Sequence, residues 1–154
     1  MIVSFEQLKE HRGRVAMVDG AFDPLHHGHI QYFRAAVDAA GVPLLCNVAS
    51  DVYVRTKHPP FLPEEQRAVI IDAIRYIAYT HVNRVDTETI LRELRPKYYV
   101  KGKDWDGRLP PEQVRICAEH GIGIVYLDTV SDSSTRILER FAAHARAKDP
   151  AIGR

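Results

Sequence analysis

Residues 19–29 read DGAFDPLHHGH, and this stretch decides the fold. The apolar run at residues 14–18 predicts a β-strand that enters a glycine turn and then a helix. Backbone amides at a helix start attract phosphate, and glycine leaves room beside the backbone for a ligand. His26 and His29 are three residues apart and would share one face of that helix. The pattern predicts a site for a nucleoside triphosphate.

Two other interpretations of the histidines are open at this point. His26, His27 and His29 could bind a metal, although metal sites usually need a further ligand from elsewhere in the chain. They could also be surface residues at an ordinary helix start. Because a strand and a glycine turn precede them, we favour phosphate binding and expect no protein-held metal.

Composition restricts the class of protein. The 154 residues suit one domain, which we expect over residues 1–147 with a flexible tail at 148–154. The 21 Lys and Arg balance 20 Asp and Glu, so a nucleic-acid partner is not favoured. There is no signal-peptide pattern and no apolar run long enough for a bilayer. Cys46 and Cys117 look like reduced, buried thiols. We therefore expect a cytoplasmic enzyme.

Strand and helix patterns alternate along the whole chain. This alternation predicts a Rossmann-like α/β fold, a three-layer sandwich with a five-stranded parallel sheet and helices on both faces. The predicted strands are residues 15–19, 42–49, 79–82, 98–100 and 123–127, and the predicted helices are 4–11, 27–40, 63–77, 87–94, 111–120 and 136–147. Residues 50–62 and 102–109 are expected to be loops. Ligands of such sheets bind at the carboxyl ends of the strands.

A second candidate phosphate site lies near the end of the chain. Ser133, Ser134 and Thr135 precede the last predicted helix, and Arg136 adds a positive charge there. Hydroxyls, amides and a guanidinium could hold the far end of a triphosphate. The alternative is an ordinary helix N-cap.

Basic residues in two further loops could bind a second, phosphorylated substrate. Lys57 and Arg67 could clamp its phosphate, and Arg55 could substitute for either of them. The alternative for these side chains is solvated surface charge. Lys101 and Asp104 follow a predicted strand end and would face the same edge of the sheet, and the neighbouring Trp105 could instead be a loop anchor.

These motifs together resemble a known superfamily. Gly-x-Phe-Asp-x-x-His-x-Gly-His at residues 20–29 is similar to the signature of the nucleotidylyltransferases that share a fold core with class I aminoacyl-tRNA synthetases. Ser-Thr-x-Ile at 134–137 and Glu-Gln-Arg at 65–67 match later motifs of that superfamily. Lys-Gly-x-Asp-aromatic at 101–105 resembles heptose 1-phosphate adenylyltransferases, whereas residues 104–107 resemble glycerol-3-phosphate cytidylyltransferase.

The resemblance implies transfer of AMP from ATP to a sugar phosphate with release of pyrophosphate. The alternatives are CTP with a polyol phosphate, or a nucleotide-binding module without turnover. Mg²⁺ bound through the nucleotide is the implied cofactor, and a homodimer is the implied assembly. The implied catalytic residues are His26, His29, Lys57 and Arg136. The implied nucleotide-binding residues are Gly20, Ala21, Phe22, Asp23, His26, Gly28, His29, Lys101, Asp104, Ser133, Ser134 and Thr135.

Overall fold

The computed structural model describes residues 1–129 and 134–148. The strands are β1 (Ala16–Gly20), β2 (Leu44–Ala49), β3 (Tyr79–Asn83), β4 (Tyr98–Gly102) and β5 (Gly123–Leu127). The helices are α1 (His27–Ala40), α2 (Asp51–Arg55), α3 (Glu64–Asp72), α4 (Thr87–Leu94), α5 (Pro111–His120) and α6 (Ser134–Lys148). Two short 3-10 helices cover Leu8–His11 and Lys103–Trp105.

The five strands form one parallel sheet in the order β3-β2-β1-β4-β5. The order reverses beside β1, since β2 pairs with one edge of β1 and β4 with the other. A sheet of this kind opens a crevice at the carboxyl ends of its strands at that reversal. The predicted Rossmann-like α/β fold is confirmed.

Side chains of residues 15–18, at the start of β1 and just before it, alternate between two cores, one on each face of the sheet. Val15 and Met17 pack with Ile90 of α4 and Ile116 of α5. Ala16 and Val18 belong to the other core, which contains buried side chains from α1 and α3. Because both faces are covered, the central strands are mainly apolar, and their polar residues Asp19, Asn47 and Lys101 lie toward the carboxyl ends.

Three predicted segments differ most from the structure. The 50–62 loop contains α2, which the Ser50 hydroxyl caps by accepting from the Tyr53 amide at 3.3 Å. The helix predicted at 4–11 is only the 3-10 turn Leu8–His11, since short local hydrogen bonds do not propagate a helix. Helix α3 ends at Asp72 rather than at residue 77.

The last helix differs slightly from its prediction. It begins at Ser134 and includes Lys148 as its final residue. The remainder of the predicted tail, residues 149–154, lies outside the described residues, as does Ser133. In the parts of the chain that the structure describes, no helix is both long and apolar enough to cross a bilayer.

Candidate active site

A cleft of about 630 Å³ opens at the carboxyl ends of β1, β4 and β5. It is named here the His29 cleft. Seven of the predicted nucleotide-binding residues line it: Gly20, Ala21, Phe22, Gly28, His29, Lys101 and Asp104. The motif that decides the fold and the Lys-Gly-x-Asp motif therefore meet at one site, although about 80 residues separate them in the sequence.

The β1–α1 turn is shaped by an aromatic ring against a glycine. A Cβ atom on Gly20 would lie 2.9 Å from the ring of Phe22, which is closer than real Cβ contacts. Phe22 itself has φ of 51°, in the left-handed region that non-glycine residues seldom adopt. Strain of this type is retained where the surrounding structure holds it, often beside a ligand site. The room predicted beside Gly20 for a ligand is thus partly filled by Phe22.

His26 and His29 cap helix α1 reciprocally. The Gly28 amide donates to Nδ1 of His26 at 3.1 Å, and the His26 amide donates to Nδ1 of His29 at 3.3 Å. The two rings stack with centroids 3.8 Å apart. Since both Nδ1 atoms accept hydrogen bonds, a neutral ring in this arrangement carries its proton on Nε2. Both histidines can therefore present an Nε2–H donor.

The surroundings keep His29 neutral. Burial, together with the nearby His26, lowers the pKa of His29 from 6.5 to about 4. The Phe22 ring meets the His29 ring edge-on, with centroids 5.1 Å apart, and supplies part of that apolar environment. At pH 7 the His29 ring is neutral and can donate a hydrogen bond from Nε2–H to an anion. It is not an imidazolium that could act as a general acid. Of the two histidines, His29 lines the cleft, and His26 supports it from the side.

The protonation of His29 gives a direct prediction. We expect long-range ¹H–¹⁵N NMR to show His29 as the neutral Nε2–H tautomer from pH 8 down to about pH 5. The ring of the exposed His144, recorded in the same samples, serves as an internal reference spectrum. A His29 ring that becomes positively charged near pH 6.5 would contradict the capping geometry.

A hydrogen-bonded cluster lies between the His29 cleft and a second cleft. Asp19, at the end of β1, accepts from Lys101 Nζ at 2.7 Å and from the Tyr99 hydroxyl at 2.8 Å. Burial and the Asp19 carboxylate raise the pKa of Tyr99, so its hydroxyl stays protonated. Lys101 Nζ also lies 4.4 Å from the centre of the Trp105 ring. Asp19 and Tyr99 were not among the predicted site residues, because a polar residue within an apolar strand gives only a weak signal.

A second cleft of about 590 Å³ lies on the other side of this cluster. It is named the Lys57 cleft, since Lys57 lines it with the aromatic residues Tyr53 and Trp105. Lys57 Nζ lies 4.7 Å from the centre of the Tyr53 ring. The two clefts share the five residues Asp19, Gly20, Ala21, Lys101 and Trp105. Ligands in the two clefts would meet above Lys101.

Arg67, predicted to bind a substrate phosphate, is bound within the protein, and its contact with a phosphate stays a prediction. Its side chain is buried, and Asp51 Oδ1 lies 2.6 Å from Nη2. Its other donors bind the backbone carbonyls of residues 21, 49 and 62 at 2.8, 2.8 and 3.0 Å. Four of the five N–H groups of the guanidinium thus have partners within the protein, which indicates a structural role for Arg67.

Asp23 and Arg55 lie outside the described lining of both clefts, and their predicted contacts with ligands stay predictions. The Asp23 residue is 2% exposed, and its carboxylate accepts from the amides of Phe61 and Leu62 at 2.7 and 2.9 Å, so it fixes a loop. Arg55 is exposed on α2 and lies outside the described residues that line the Lys57 cleft.

The start of helix α6 lies beside the β1–α1 turn. The Ser134 hydroxyl donates to the Pro24 carbonyl at 2.8 Å, which brings the late Ser-Thr motif against the first motif. Thr135 and Arg136 follow in the exposed first turn of α6. Ser133 lies outside the described residues, so its predicted contact with phosphate stays a prediction.

A comparison with family models gives one match, to the model described as cytidylyltransferase-like, over residues 17–140. The chain belongs to the cytidylyltransferase-like family. The match spans both clefts and the first half of α6. It places the chain among the nucleotidyltransferases, which the motifs of the sequence had indicated.

Curated relatives with two different names, HldE and FAD synthase, support this assignment. The chain is 34% identical over 146 residues to the bifunctional protein HldE of Streptomyces coelicolor, covering 91% of this chain and 31% of that protein. It is 33% identical over 148 residues to HldE of Syntrophotalea carbinolica, covering 88% and 29%. It is 37% identical over 91 residues to FAD synthase of Archaeoglobus fulgidus, covering 57% and 64%. The chain thus spans about a third of the length of these HldE relatives.

A solved structure shows the same fold. The lipopolysaccharide core biosynthesis protein of Thermoplasma volcanium superposes with a TM-score of 0.63 at 21% identity, covering 77% of this chain and 98% of that one. At this level of identity the likeness concerns the fold.

Proposed function

We propose that this protein transfers AMP from ATP to a sugar phosphate similar to heptose 1-phosphate and releases pyrophosphate. The observation that carries the proposal is the pair of clefts that meet above Lys101. One is lined by the neutral donor His29 and the phosphate-binding turn, and the other is lined by Lys57. The HldE relatives, whose adenylyltransferase domain acts on heptose 1-phosphate, agree with this assignment.

The proposed reaction needs positioning and charge stabilisation more than proton transfer. A phosphate monoester loses its second proton near pH ~6, so the acceptor is already a nucleophile at pH 7. One of its oxygens attacks the α-phosphorus of ATP in line, and the bond to the pyrophosphate oxygen breaks. Lys57 would hold the acceptor phosphate, while Lys101 lies at the boundary of the clefts and would reduce the repulsion between two anions.

The remaining residues would bind the triphosphate. The Nε2–H groups of His29 and His26 would donate to phosphate oxygens on which charge increases during the reaction. Ser134, Thr135 and Arg136, at the start of α6, would hold the β- and γ-phosphates and then the leaving pyrophosphate. The contact between Ser134 and the Pro24 carbonyl supports this placement because it keeps the α6 start beside the turn.

Mg²⁺ would reach the site with the nucleotide. Within residues 1–129 and 134–148, no three His, Cys, Asp or Glu side chains converge as a metal site. The carboxylate oxygens of Asp19 already accept from Tyr99 and Lys101. Asp104 and Asp128 line the His29 cleft as single carboxylates, which fits an ion that is held mainly by phosphates. Such an ion would neutralise the charge of the triphosphate.

Two other acceptors compete with a sugar phosphate. A polyol phosphate with CTP is favoured by the resemblance of residues 104–107 to glycerol-3-phosphate cytidylyltransferase. A flavin phosphate is favoured by the aromatic side chains of Tyr53 and Trp105 in the Lys57 cleft, and by the similarity to FAD synthase. A nucleotide-binding module without turnover is the alternative outside the enzymes.

A pyrophosphate-release assay separates these alternatives. We expect ATP with D-glycero-D-manno-heptose 1-phosphate to exceed CTP with glycerol 3-phosphate and ATP with FMN by at least about tenfold in kcat/KM. Activity should need Mg²⁺ and stop with EDTA, and mass spectrometry should identify the nucleotide-linked product. Faster turnover of one of the other pairs would replace the proposed acceptor. Tight ATP binding with no release for any pair would contradict an enzyme.

We also propose a homodimer located in the cytoplasm, where nucleoside triphosphates are available. The apolar side chains of Val69 and Ile70 are exposed on α3 and could be covered by a second copy. The mass measured by light scattering in solution tests whether the protein is a homodimer.

A further inference from the structure

The amide of Asn47 is buried at the base of the Lys57 cleft and has an unused donor. Asn47 lies in β2, is 1% exposed and lines the cleft. Its Nδ2 atom has no hydrogen-bond partner among residues 1–129 and 134–148. Buried polar groups in folded proteins are nearly always paired, so an unpaired amide beside a cleft indicates a ligand atom.

His81 fixes the orientation of that amide. The two residues are register partners on β2 and β3, and His81 Nδ1 lies 2.9 Å from Asn47 Oδ1. Burial, with the nearby Arg84, lowers the pKa of His81 to about 4, so the ring is neutral at pH 7. A neutral ring facing a carbonyl oxygen must carry its proton on Nδ1. His81 therefore occupies the oxygen end of the amide and leaves Nδ2 for another partner.

The neighbours of Asn47 do not supply that partner. Asp19 is its register partner on β1, but the Asp19 oxygens accept from Tyr99 and Lys101. Ala49 lies two residues further along β2, on the same face of the strand, and its methyl group is small. Both Asn47 and Ala49 line the cleft, so the short Ala49 side chain leaves a path from the cleft to the amide.

The wall of the cleft formed by the start of α4 lacks positive charge. Asp86 and Glu88 line it there, and Gln113 of α5 donates to Glu88 at 3.0 Å. Lys57 and Lys101 are the lysines among the described lining residues, and Lys101 is paired with Asp19. This distribution favours an acceptor with one phosphate at Lys57 and an uncharged, hydroxylated remainder, because carboxylates accept from hydroxyl groups and repel a second anion.

We propose that Asn47 determines acceptor specificity by donating its Nδ2–H to a hydroxyl oxygen of a singly phosphorylated, polyhydroxylated acceptor, with His81 as the positioning residue. The proposal rests on the proposed function for the identity of the Lys57 cleft as the acceptor site. Asn47 contributes to selection of the substrate, and the transferred group does not touch it.

Calorimetry on the full chain tests the proposal independently of turnover. The probes are mannose 1-phosphate, glycerol 3-phosphate and propyl phosphate, which has no hydroxyl group, each titrated in the presence of a non-hydrolysable ATP analogue. Wild-type protein should bind at least one hydroxylated probe about tenfold or more tightly than propyl phosphate. In Asn47→Leu that ratio should fall to about twofold or less, with the affinity for the ATP analogue unchanged.

Two further variants separate specificity from folding. Thr80→Val removes a second buried polar atom without a described partner, on β3 but outside the described lining of the cleft, and should change neither affinity. Asn47→Asp keeps an acceptor for His81 but loses the amide donor, so it should lose the same discrimination even if Asn47→Leu does not fold. Three results would overturn the proposal. They are an unchanged ratio of the affinities for hydroxylated probe and propyl phosphate in a folded Asn47 variant, an equal loss of affinity for the ATP analogue, or no binding of the hydroxylated probes by wild-type protein. If the hydroxylated probes bind in a way that depends on Asn47 but no pyrophosphate is released, the specificity proposal is supported and the proposed reaction is contradicted.

Discussion

Replacing His29 by alanine should lower kcat for pyrophosphate release by about 10²-fold or more. The structure gives the reason, since His29 lines the cleft and its Nδ1 is used by the His26 amide, which leaves Nε2–H for the nucleotide. A donor in a partly buried site stabilises developing charge far more than a water molecule does, because it is already oriented. The measurement is single-turnover pyrophosphate release at saturating ATP and acceptor.

Two substitutions by amide residues separate the functions of the two ring nitrogens of His29. Asparagine at position 29 can place an oxygen near the position of Nδ1, so His29→Asn should retain the helix cap and lose activity like His29→Ala. Glutamine can place an N–H near the position of Nε2, so His29→Gln should retain more activity and lose stability, by about 0.5–2 kcal/mol for a lost cap. Wild-type turnover in folded His29→Ala would exclude His29 from catalysis.

The fold could be predicted because the signals for it are local and repeated. The apolar run at residues 42–49 has the length and continuity of a strand covered on both faces, and the structure places β2 there. Gly41 ends α1 and Gly121 ends α5 in the left-handed conformation, as glycine after a helix predicts. The errors lie where propensity is weak, such as the short helix α2 within a segment rich in proline and charge.

The site was predictable only where its motif is contiguous. Residues 20–29 form a turn whose own amides and rings bind one another, so the sequence predicts the arrangement. The pairing of Asn47 with His81 depends on the register of β2 against β3, which the sequence does not specify by itself. In the same way, Asp19 becomes part of the site only through Tyr99 and Lys101 on β4.

Arg67 shows most clearly why a charge pattern alone can mislead. The sequence pattern is an arginine in the first half of a helix that follows two glutamates. This pattern is the same whether the arginine binds a ligand or the protein's own backbone. The carbonyls that it binds belong to Ala21, Ala49 and Leu62, in three segments whose convergence is a property of the whole fold. The sequence identified the residue as important, but its partners within the protein become visible only in the fold.

Arg67→Ala should therefore destabilise the protein by about 3–5 kcal/mol, the usual effect of removing one partner of a buried ion pair. It would leave the Asp51 carboxylate and three carbonyls without their donor, and a loss of this size lowers Tm by roughly 10 °C or more in a chain of this length. Arg67→Lys should fall between wild type and alanine, because one ammonium cannot reach all four acceptors. Urea unfolding followed by circular dichroism measures the change in free energy.

Arg115→Ala is the matched control, since it removes an arginine that also binds a carboxylate but at the surface. Arg115 Nη2 lies 2.6 Å from Glu112 Oε1, and the two side chains are 56% and 42% exposed, so the loss of Arg115 should cost far less stability than the loss of Arg67. If Arg67 bound the acceptor phosphate instead, Arg67→Ala would keep wild-type stability and raise KM for the acceptor alone. Because Arg67 joins the turn of the His29 cleft to the loop of the Lys57 cleft, we expect the remaining folded protein to lose affinity for both substrates together.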